Sequence, residues 1–462
     1  MITYQDFLKV GDSDAKKLDF VKTAINRYKM SGMYKMALIA EQYDRKENPD
    51  IRNFTRMIYT VNGKPVPDTY STDYRMGRAF FPFFVTQENQ YLLSNGVSWT
   101  NKETADRLGT KKAPFDSKVQ DAGHAALVGA VSYGFWNLDH VDVFRAIEFV
   151  PLFDEENGAL RGGIRFWQID TDKPFRATLY EEDGYTEYIW NRREGSMQED
   201  GSVLRPKRTY IISTRGAAVD EEKIYQGENY PSFPIVPFWG NKNHQSELTG
   251  IREQIFVYDM IKCGFCNSVE DASYVYWAIH NAPGMDEVDL VRFLERARSL
   301  RVLQTEDAGS TAEPKQIETP YQARESLLDR LEKDIFKDAM AFDPERIASG
   351  AVTATQIRAA YDLLEQKVND YEYQVIAFIN GIMDLAGVDD TPTFTRSKNI
   401  DTTVEIQNVM MAATALDEEY VTRKILTLLG DGDMVDEVMA RKIDDEVTQQ
   451  RETIDETGGD LE

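Results

Sequence analysis

Cys263 and Cys266 are the one pair of side chains in this sequence spaced for redox or metal chemistry. A zinc site needs about four such ligands, and neither a second Cys-x-x-Cys nor a nearby histidine pair supplies the rest. A dithiol redox motif belongs at a helix start after a strand, whereas these thiols fall inside a segment of helical periodicity. They read as ordinary packed thiols, and two cysteines exclude a disulfide framework. His124, His140, His244 and His280 are spread too widely for HExxH or HxxxH ligation. No G-x-x-x-x-G-K-[ST] loop and no G-x-S-x-G elbow occurs, and Gly158, Gly162 and Gly163 read as hairpin glycines. Nothing singles out an acid–base pair among the many Asp and Glu. The expectation is a chain with no catalytic residue, no metal and no cofactor.

A weaker kind of chemistry is available to the loop 341–355, AFDPERIASGAVTAT. Pro344, Ser349 and Gly350 keep it out of helices. Arg346 carries the planar, fixed donors that suit transient phosphate contact. Ser349, Thr353 and the backbone around Gly350 could add weak contacts. From the residues alone, a surface connector with a solvated arginine is the favoured reading.

Helices flank this loop on both sides. The stretch from Ser246 to 272 places Ile251, Ile255, Tyr258, Ile261, Phe265 and Val269 on one stripe, with Ser246 as a candidate N-cap. A second helix opens at Thr319-Pro320 and presents Leu327, Leu331 and Ile335 on one face. The two are similar in length and could pack antiparallel. Between them, 273–318 reads as a small α/β module: strand SYVYWAIH, helix MDEVDLVRFLERARS, strand LRVLQT, acidic turn EDAGSTAEP and short strand KQIE. It is too small to bury much core alone. After the loop, Ile357, Tyr361, Leu364, Val368, Tyr371, Val375, Phe378, Ile382 and Leu385 step by four and three without a break. That seam fits either coiled-coil contact or a long amphipathic helix lying on its own domain.

Upstream, 1–60 has helical spacing, 61–75 looks like a polar loop, and a helical segment spans about 103–130. Residues 131–240 alternate as strands separated by EENG, TDKP and EEDG turns, an antiparallel meander that ends in PSFPIVPFWGN as an extended strap. The tail holds further helices: TVEIQNVMMAATAL, EEYVTRKILTLLG and VDEVMARKIDDEVTQQRETIDE.

The 462 residues allow two to four domains, and 42% hydrophobic with 28% charged residues fits a soluble globular protein. No apolar run approaches a membrane span and MITYQDFLKVGD lacks a signal-peptide pattern, so cytoplasmic synthesis and no membrane association are expected. The net charge is −25, and 401–462 contributes 17 acidic and 5 basic residues to it. Such a chain does not bind nucleic acid generally, because DNA affinity comes mostly from neutralised phosphates. An acidic wall past which DNA slides without being held is compatible with that charge.

The order of these elements resembles the portal protein family of tailed double-stranded-DNA bacteriophages. PIVPFWGNKNHQSELTGIREQIFVYDM (234–260) and NSVEDA (267–272) resemble that family's first stem helix. LRVLQT and the stretch to IFKDAMAFDPE resemble its clip and second stem helix, and SGAVTATQIRAAYDLLEQKVNDYEYQVIAFINGIMDL (349–385) its tunnel loop and long wing helix. YLLSNGVSW (91–99) and GAVSYGFWNLDH through GGIRFWQI (129–169) resemble its β-rich wing. Each pattern is loose; the weight comes from their order over roughly 90–430.

The resemblance implies an α+β, portal-like multi-domain subunit. Its parts would be an N-terminal helical arm outside the ring core (1–79), an α/β wing (80–245), stem helix 1 (246–272), a clip (273–318) and stem helix 2 (319–340). A tunnel loop (341–355), a long wing helix (356–390) and a crown with acidic tail (391–462) would follow. It implies a homo-oligomeric ring, a 12-mer by family, at the capsid vertex of the virion, assembled in the host cytoplasm. Double-stranded DNA would pass Arg346, Ser349, Gly350 and Thr353. Asp286, Glu287, Arg292, Glu295, Glu306 and Asp307 of the clip would face the large terminase (the packaging ATPase) and the head–tail adaptor. Major capsid and scaffolding proteins are further implied partners. Two other classes stay open on the residues alone: a cytoplasmic enzyme with its site in the β-rich region, and a coiled-coil scaffold using the 357–385 seam.

Overall fold

The computed structural model describes residues 2–59, 63–69, 71–101, 103–192, 199–212, 227–273, 276–280, 311–315, 321–344, 354–397 and parts of 406–441. They fall into two compact units: 1–341 with 366–395, and 342–365 with 396–462.

The first unit opens with four helices, α1 (Tyr4–Leu8), α2 (Asp14–Met30), α3 (Gly32–Asp44) and α4 (Pro49–Arg52), then the ribbon β1 (Met57–Tyr59) and β2 (Pro65–Pro67). Ser31 ends α2 in an extended conformation, and its hydroxyl accepts Tyr34 N–H to cap α3, so the chain turns sharply between them. Next come α5 (Phe80–Leu93), β3 (Val97–Ser98), α6 (Thr104–Leu108) and α7 (Phe115–Gly129). The β-rich region follows as β4 (Val131–Asn137), β5 (His140–Arg145), β6 (Phe149–Phe153), β7 (Leu160–Trp167), β8 (Phe175–Glu181), β9 (Gly184–Arg192) and β10 (Glu199–Arg208). The pair β11 (Ile211–Ile212) and β12 (Gly227–Glu228) and then β13 (Ile235–Trp239) complete it.

Strands β6 to β10 pair consecutively as a five-stranded antiparallel meander, as their alternation predicts. The second sheet has the order β13-β4-β5. The strap expected over PSFPIVPFWGN is therefore partly a strand. Pro237 is tolerated opposite Tyr133 because β13 is an edge, where a missing N–H removes no ladder bond. The N-terminal helices share a core with the meander rather than standing apart: Val21, Ala24, Ile25 and Tyr28 of α2 pack with Val150, Leu152, Ile164, Leu179 and Trp190. The expected polar loop at 61–75 contains β2.

Two long helices frame the rest, α8 (Arg252–Ser273) and α9 (Tyr321–Asp338). Helix α8 begins six residues later than its cap signal suggests. Gly250 adopts φ +94°, which breaks the first turn, while Ser246 Oγ accepts only Leu248 N–H at 3.2 Å. The helices are antiparallel: Gln254 meets Asp338, Tyr258 meets Glu332, and Arg324 meets Gly264 and Ser268. Helix α9 ends with Met340 in the left-handed region, φ +52°. Ala341 N–H bonds Phe336 O and Met340 N–H bonds Lys337 O, a Schellman closure that a glycine would make more cheaply by about 1 kcal/mol. Between α8 and α9, β14 (Tyr276–His280) pairs antiparallel with β15 (Thr311–Lys315). The second strand thus lies at TAEPK, earlier than the expected KQIE. A two-stranded ribbon has only edges and accommodates Pro314. The helix and strand expected at 285–305 lie outside the described residues.

The seam of 357–385 is one helix, α10 (Ala354–Ala386), about 50 Å long. Within the first unit Val368, Tyr371, Val375, Phe378 and Ile382 are at most 1% exposed, so this stretch lies on its own domain instead of forming a coiled coil. Phe378 stacks on Phe238 of β13 at 4.7 Å. Small residues make the approach possible. A Cβ on Gly134 would sit 2.5 Å from Phe378 Cζ, and one on Gly123 would overlap the Tyr371 hydroxyl. Gly387, φ +63°, ends α10, and the strand β16 (Thr393–Phe394) returns to pair with β3. In the second unit Phe342 stacks on Tyr361 at 4.1 Å, and α11 (Glu418–Leu429) realises the helix expected over EEYVTRKILTLLG.

Gly123→Ala should cost about 1–3 kcal/mol by overpacking. Adding Tyr371→Phe, which deletes the overlapping hydroxyl, should restore part of that loss in chemical denaturation. Equal stability of Gly123→Ala and wild type would contradict this packing.

Candidate functional site

The antiparallel pair α8–α9 and the helix α10 meet at one buried cation. Lys367 Nζ lies 2.8 Å from Glu88 of α5 and 2.6 Å from Glu247 in the turn before α8, and it donates to Ala339 O at 3.1 Å. Glu88 is 2% exposed. One ammonium therefore ties together α5, the approach to α8, the end of α9 and α10. Asn241 supports Glu247, donating from Nδ2 to its carboxylate at 2.8 Å. Burial pushes the Glu88 carboxyl up to about 7, even beside the ammonium, and Glu247 adds repulsion because it shares the same cation. The two carboxylates in turn hold Lys367 charged, raising its pKa against the effect of burial.

A second set of bonds fixes the outer side of α8. Asp259, Cys263 and Asn267 point one way at intervals of four. Asp259 Oδ1 accepts Arg78 N–H at 2.8 Å, Cys263 Sγ accepts Met76 N–H at 3.1 Å, and Asn267 Oδ1 accepts Tyr74 N–H at 2.8 Å. Four helical residues advance about 6 Å and two extended residues about 6.6 Å. An extended chain from Tyr74 to Arg78 therefore matches three successive turns of helix. Asp259 is fully buried, also accepts Asn48 Nδ2 at 2.8 Å, and is raised to about 6 by that burial. Asp50 receives both the Nε and an Nη of Arg252 at 2.7 Å, together with the Tyr43 hydroxyl at 2.8 Å.

The structure places Cys263 as a buried acceptor inside α8 and Cys266 as a half-buried neighbour, in keeping with packed thiols. His124 pairs with Asp44 at 3.1 Å, His140 with Asp139 at 2.6 Å, and the His244 ring stacks on Trp239 at 3.7 Å. His280 ends β14. Among the described residues no group of three or more His, Cys, Asp or Glu is placed to hold a metal. No described helix is long and apolar enough to cross a membrane. A cleft of about 400 Å³ beside β5 gathers Glu41, Asp44, His124, Arg145 and Glu148. Its charges satisfy one another: Arg145 bonds Glu41 at 2.9 Å and also Glu148, and Asp44 holds His124. The expected loop residues Arg346, Ser349, Gly350 and Thr353 lie outside the described residues. So do Asp286, Glu287, Arg292, Glu295, Glu306 and Asp307.

Sequence reasoning missed both bonded sets. Glu88 offered a signal, as the one charged residue in the apolar stretch 80–93. Lys367 offered none, because it borders the seam like any solvated lysine. The ladder on α8 could not be read, since it joins residues nearly two hundred positions apart.

A family model described as "Phage portal protein, SPP1 Gp6-like" matches residues 39–388. The chain belongs to this portal protein family. The portal protein of Bacillus phage SPP1 is 23% identical over 344 residues, covering 71% of this chain and 65% of that protein. The portal protein of Clostridium phage phiCD119 is 26% identical over 205 residues, covering 42% and 45% respectively. The chain thus spans somewhat under two thirds, and under half, of the lengths of these relatives. Chains in solved gene transfer agent (GTA) particles are also similar. One, in the neck of an empty particle computed with C6 symmetry, has a TM-score of 0.45 at 12% identity, covering 76% of this chain and 90% of that one. One in the native virion has a TM-score of 0.43 at 12% identity, covering 75% and 87%.

Two outcomes test the buried cation. Lys367→Met leaves the buried Glu88 without its cation and Glu247 with Asn241 alone, and should cost about 3–5 kcal/mol in denaturant unfolding. Glu88 titrates in the folded state above its ordinary value of 4.5. Its contribution to stability is therefore complete below about pH 4.5 and is lost as pH rises through about 7. Glu88→Gln should accordingly destabilise more at pH 5 than at pH 8. A pH-independent loss would contradict the assignment.

Proposed function

We propose that this chain is the repeating subunit of a homo-oligomeric ring, by family a dodecamer, at the capsid vertex of a tailed phage. DNA enters and leaves the capsid through it. The observation that carries this reading is the coincidence of one continuous family match, 39–388, with the antiparallel stem α8–α9, the β14–β15 ribbon at its far end and the long helix α10. A net charge of −25 suits a wall past which a polyanion slides. The subunit itself catalyses nothing in this scheme; the large terminase supplies ATP hydrolysis.

The segment between β14 and β15, with Asp286, Glu287, Arg292, Glu295, Glu306 and Asp307, is the docking surface for the terminase and later for the head–tail adaptor. Arg346, Ser349, Gly350 and Thr353 meet DNA. Each contact is weak, and a ring repeats it, so the duplex is centred without being trapped. Capsid and scaffolding proteins meet the ring during assembly in the host cytoplasm, and the finished ring resides in the virion.

Replacing 345–352 by Gly and Ser should leave ring assembly intact and reduce packaged or retained DNA to a small fraction of wild type in a packaging assay. Normal packaging would remove the role given to Arg346 and its neighbours.

A further inference from the structure

Beside the ladder on the outer side of α8 lies a second cleft, of about 340 Å³. It is bounded by α8 between Met260 and Ser268, by Ile51, Phe54 and Arg56, by the stretch 73–75, and by Arg324 of α9. That volume falls in the range of small-ligand sites. Its lining holds three guanidinium groups from three separate segments, Arg56, Arg75 and Arg324, against one carboxylate, Asp73. In a chain of net charge −25 this reverses the prevailing sign, and a concave site concentrates the effect.

The three arginines differ in what already holds them. Arg75 is committed: its Nε donates to Asp73 at 3.0 Å and its Nη1 to Arg52 O at 2.7 Å. Arg324 is anchored through Nη1, which donates to Ser268 Oγ at 2.8 Å and to Gly264 O at 3.3 Å. Among the described residues no carboxylate pairs with it. Arg56 has Asp68 at 3.7 Å, beyond hydrogen-bond reach. Arg56 and Arg324 therefore keep donors for a ligand. The floor of the cleft carries an independent signal. Gly264 lies in the interior of α8, where glycine is less stable than alanine. Packing does not require it, since a Cβ there would meet no atom within 4 Å. Gly264 lines the cleft, so its missing side chain keeps the floor clear around the carbonyl that Arg324 holds.

We propose that this cleft binds a phosphate group, carried either by a free mononucleotide or by the end of a nucleic-acid strand, with Arg324 and Arg56 as its donors. The planar fork of each guanidinium matches two oxygens of an oxyanion. A carboxylate has only two oxygens and is satisfied by one fork. Two forks from different segments call for a ligand with more oxygens, which a phosphate supplies. Ile51, Phe54 and Tyr74 give an apolar and aromatic side for the body attached to that phosphate. The site is complete within one chain and does not depend on the ring reading.

The test is calorimetric titration of the full chain with three probes: adenosine monophosphate, a single-stranded oligonucleotide with a terminal phosphate, and a polyglutamate peptide. At least one phosphate probe should saturate at one site per chain. Arg324→Met should weaken that binding by at least about tenfold, and Arg324→Lys, which keeps the charge without the fork, by less. Gly264→Ala separates binding from folding. It should raise the midpoint of chemical denaturation, as alanine favours the helix, and still weaken binding by at least about tenfold because its methyl group enters the floor. Saturation by the mononucleotide alone identifies a free ligand, and saturation by the oligonucleotide alone identifies a strand end; either result supports the site. The proposal is overturned if neither phosphate probe saturates, or if Arg324→Met and Gly264→Ala leave binding unchanged. Saturation by polyglutamate alone would also overturn it and make the cleft a contact for an acidic protein segment.

Discussion

A single ammonium group, that of Lys367, fixes how α5, α8, α9 and α10 come together. One buried carboxylate, one half-buried carboxylate and one carbonyl converge on it, from α5, from the turn before α8 and from the end of α9. Moving any one of these elements would strand a charge in the interior, which costs several kcal/mol. The site therefore behaves as a joint with one allowed arrangement. Once Lys367 is placed, the register of α10 is set. Tyr371 and Phe378, four and eleven positions further on, then fall opposite Gly123 and Gly134, where the backbone leaves room for their rings. The same joint holds the carbonyl of Ala339, three residues before the second compact unit begins.

The outer side of α8 is fixed by a different principle. The rise of a helix over four residues nearly equals that of an extended chain over two, so three side chains of α8 can hold three alternate N–H groups of the segment 74–78. An extended segment outside a sheet normally leaves its N–H groups to water, and here they have protein partners. Packing on one side and hydrogen bonding on the other leave α8 little freedom to roll. That rigidity suits a structural element repeated around an axis.

Much of the architecture was legible because its signals are local. Alternation with turn residues marked the meander, and apolar spacing marked α8, α9 and α10. Misreadings arose where one residue's backbone overrode a pattern. Gly250 at positive φ delays α8 past its cap signal, and the prolines of β13 and β15 masked strands that lie on edges. The 357–385 seam was ambiguous in sequence because a heptad and a one-sided amphipathic helix share the same spacing. Only the glycines facing it on α7 and β4 decide that its second half packs internally. The joint at Lys367 and the ladder on α8 were illegible, since their members are brought together by tertiary structure alone.

The proposed function makes one central claim: the chain works as a ring and not as a monomer. Electron microscopy of the purified full chain, with native mass measured on the same sample, tests it most directly. The account predicts rings of about twelve copies around a hole wide enough for duplex DNA. Particles of one or two copies with no central hole, across concentrations and salt conditions, would contradict it.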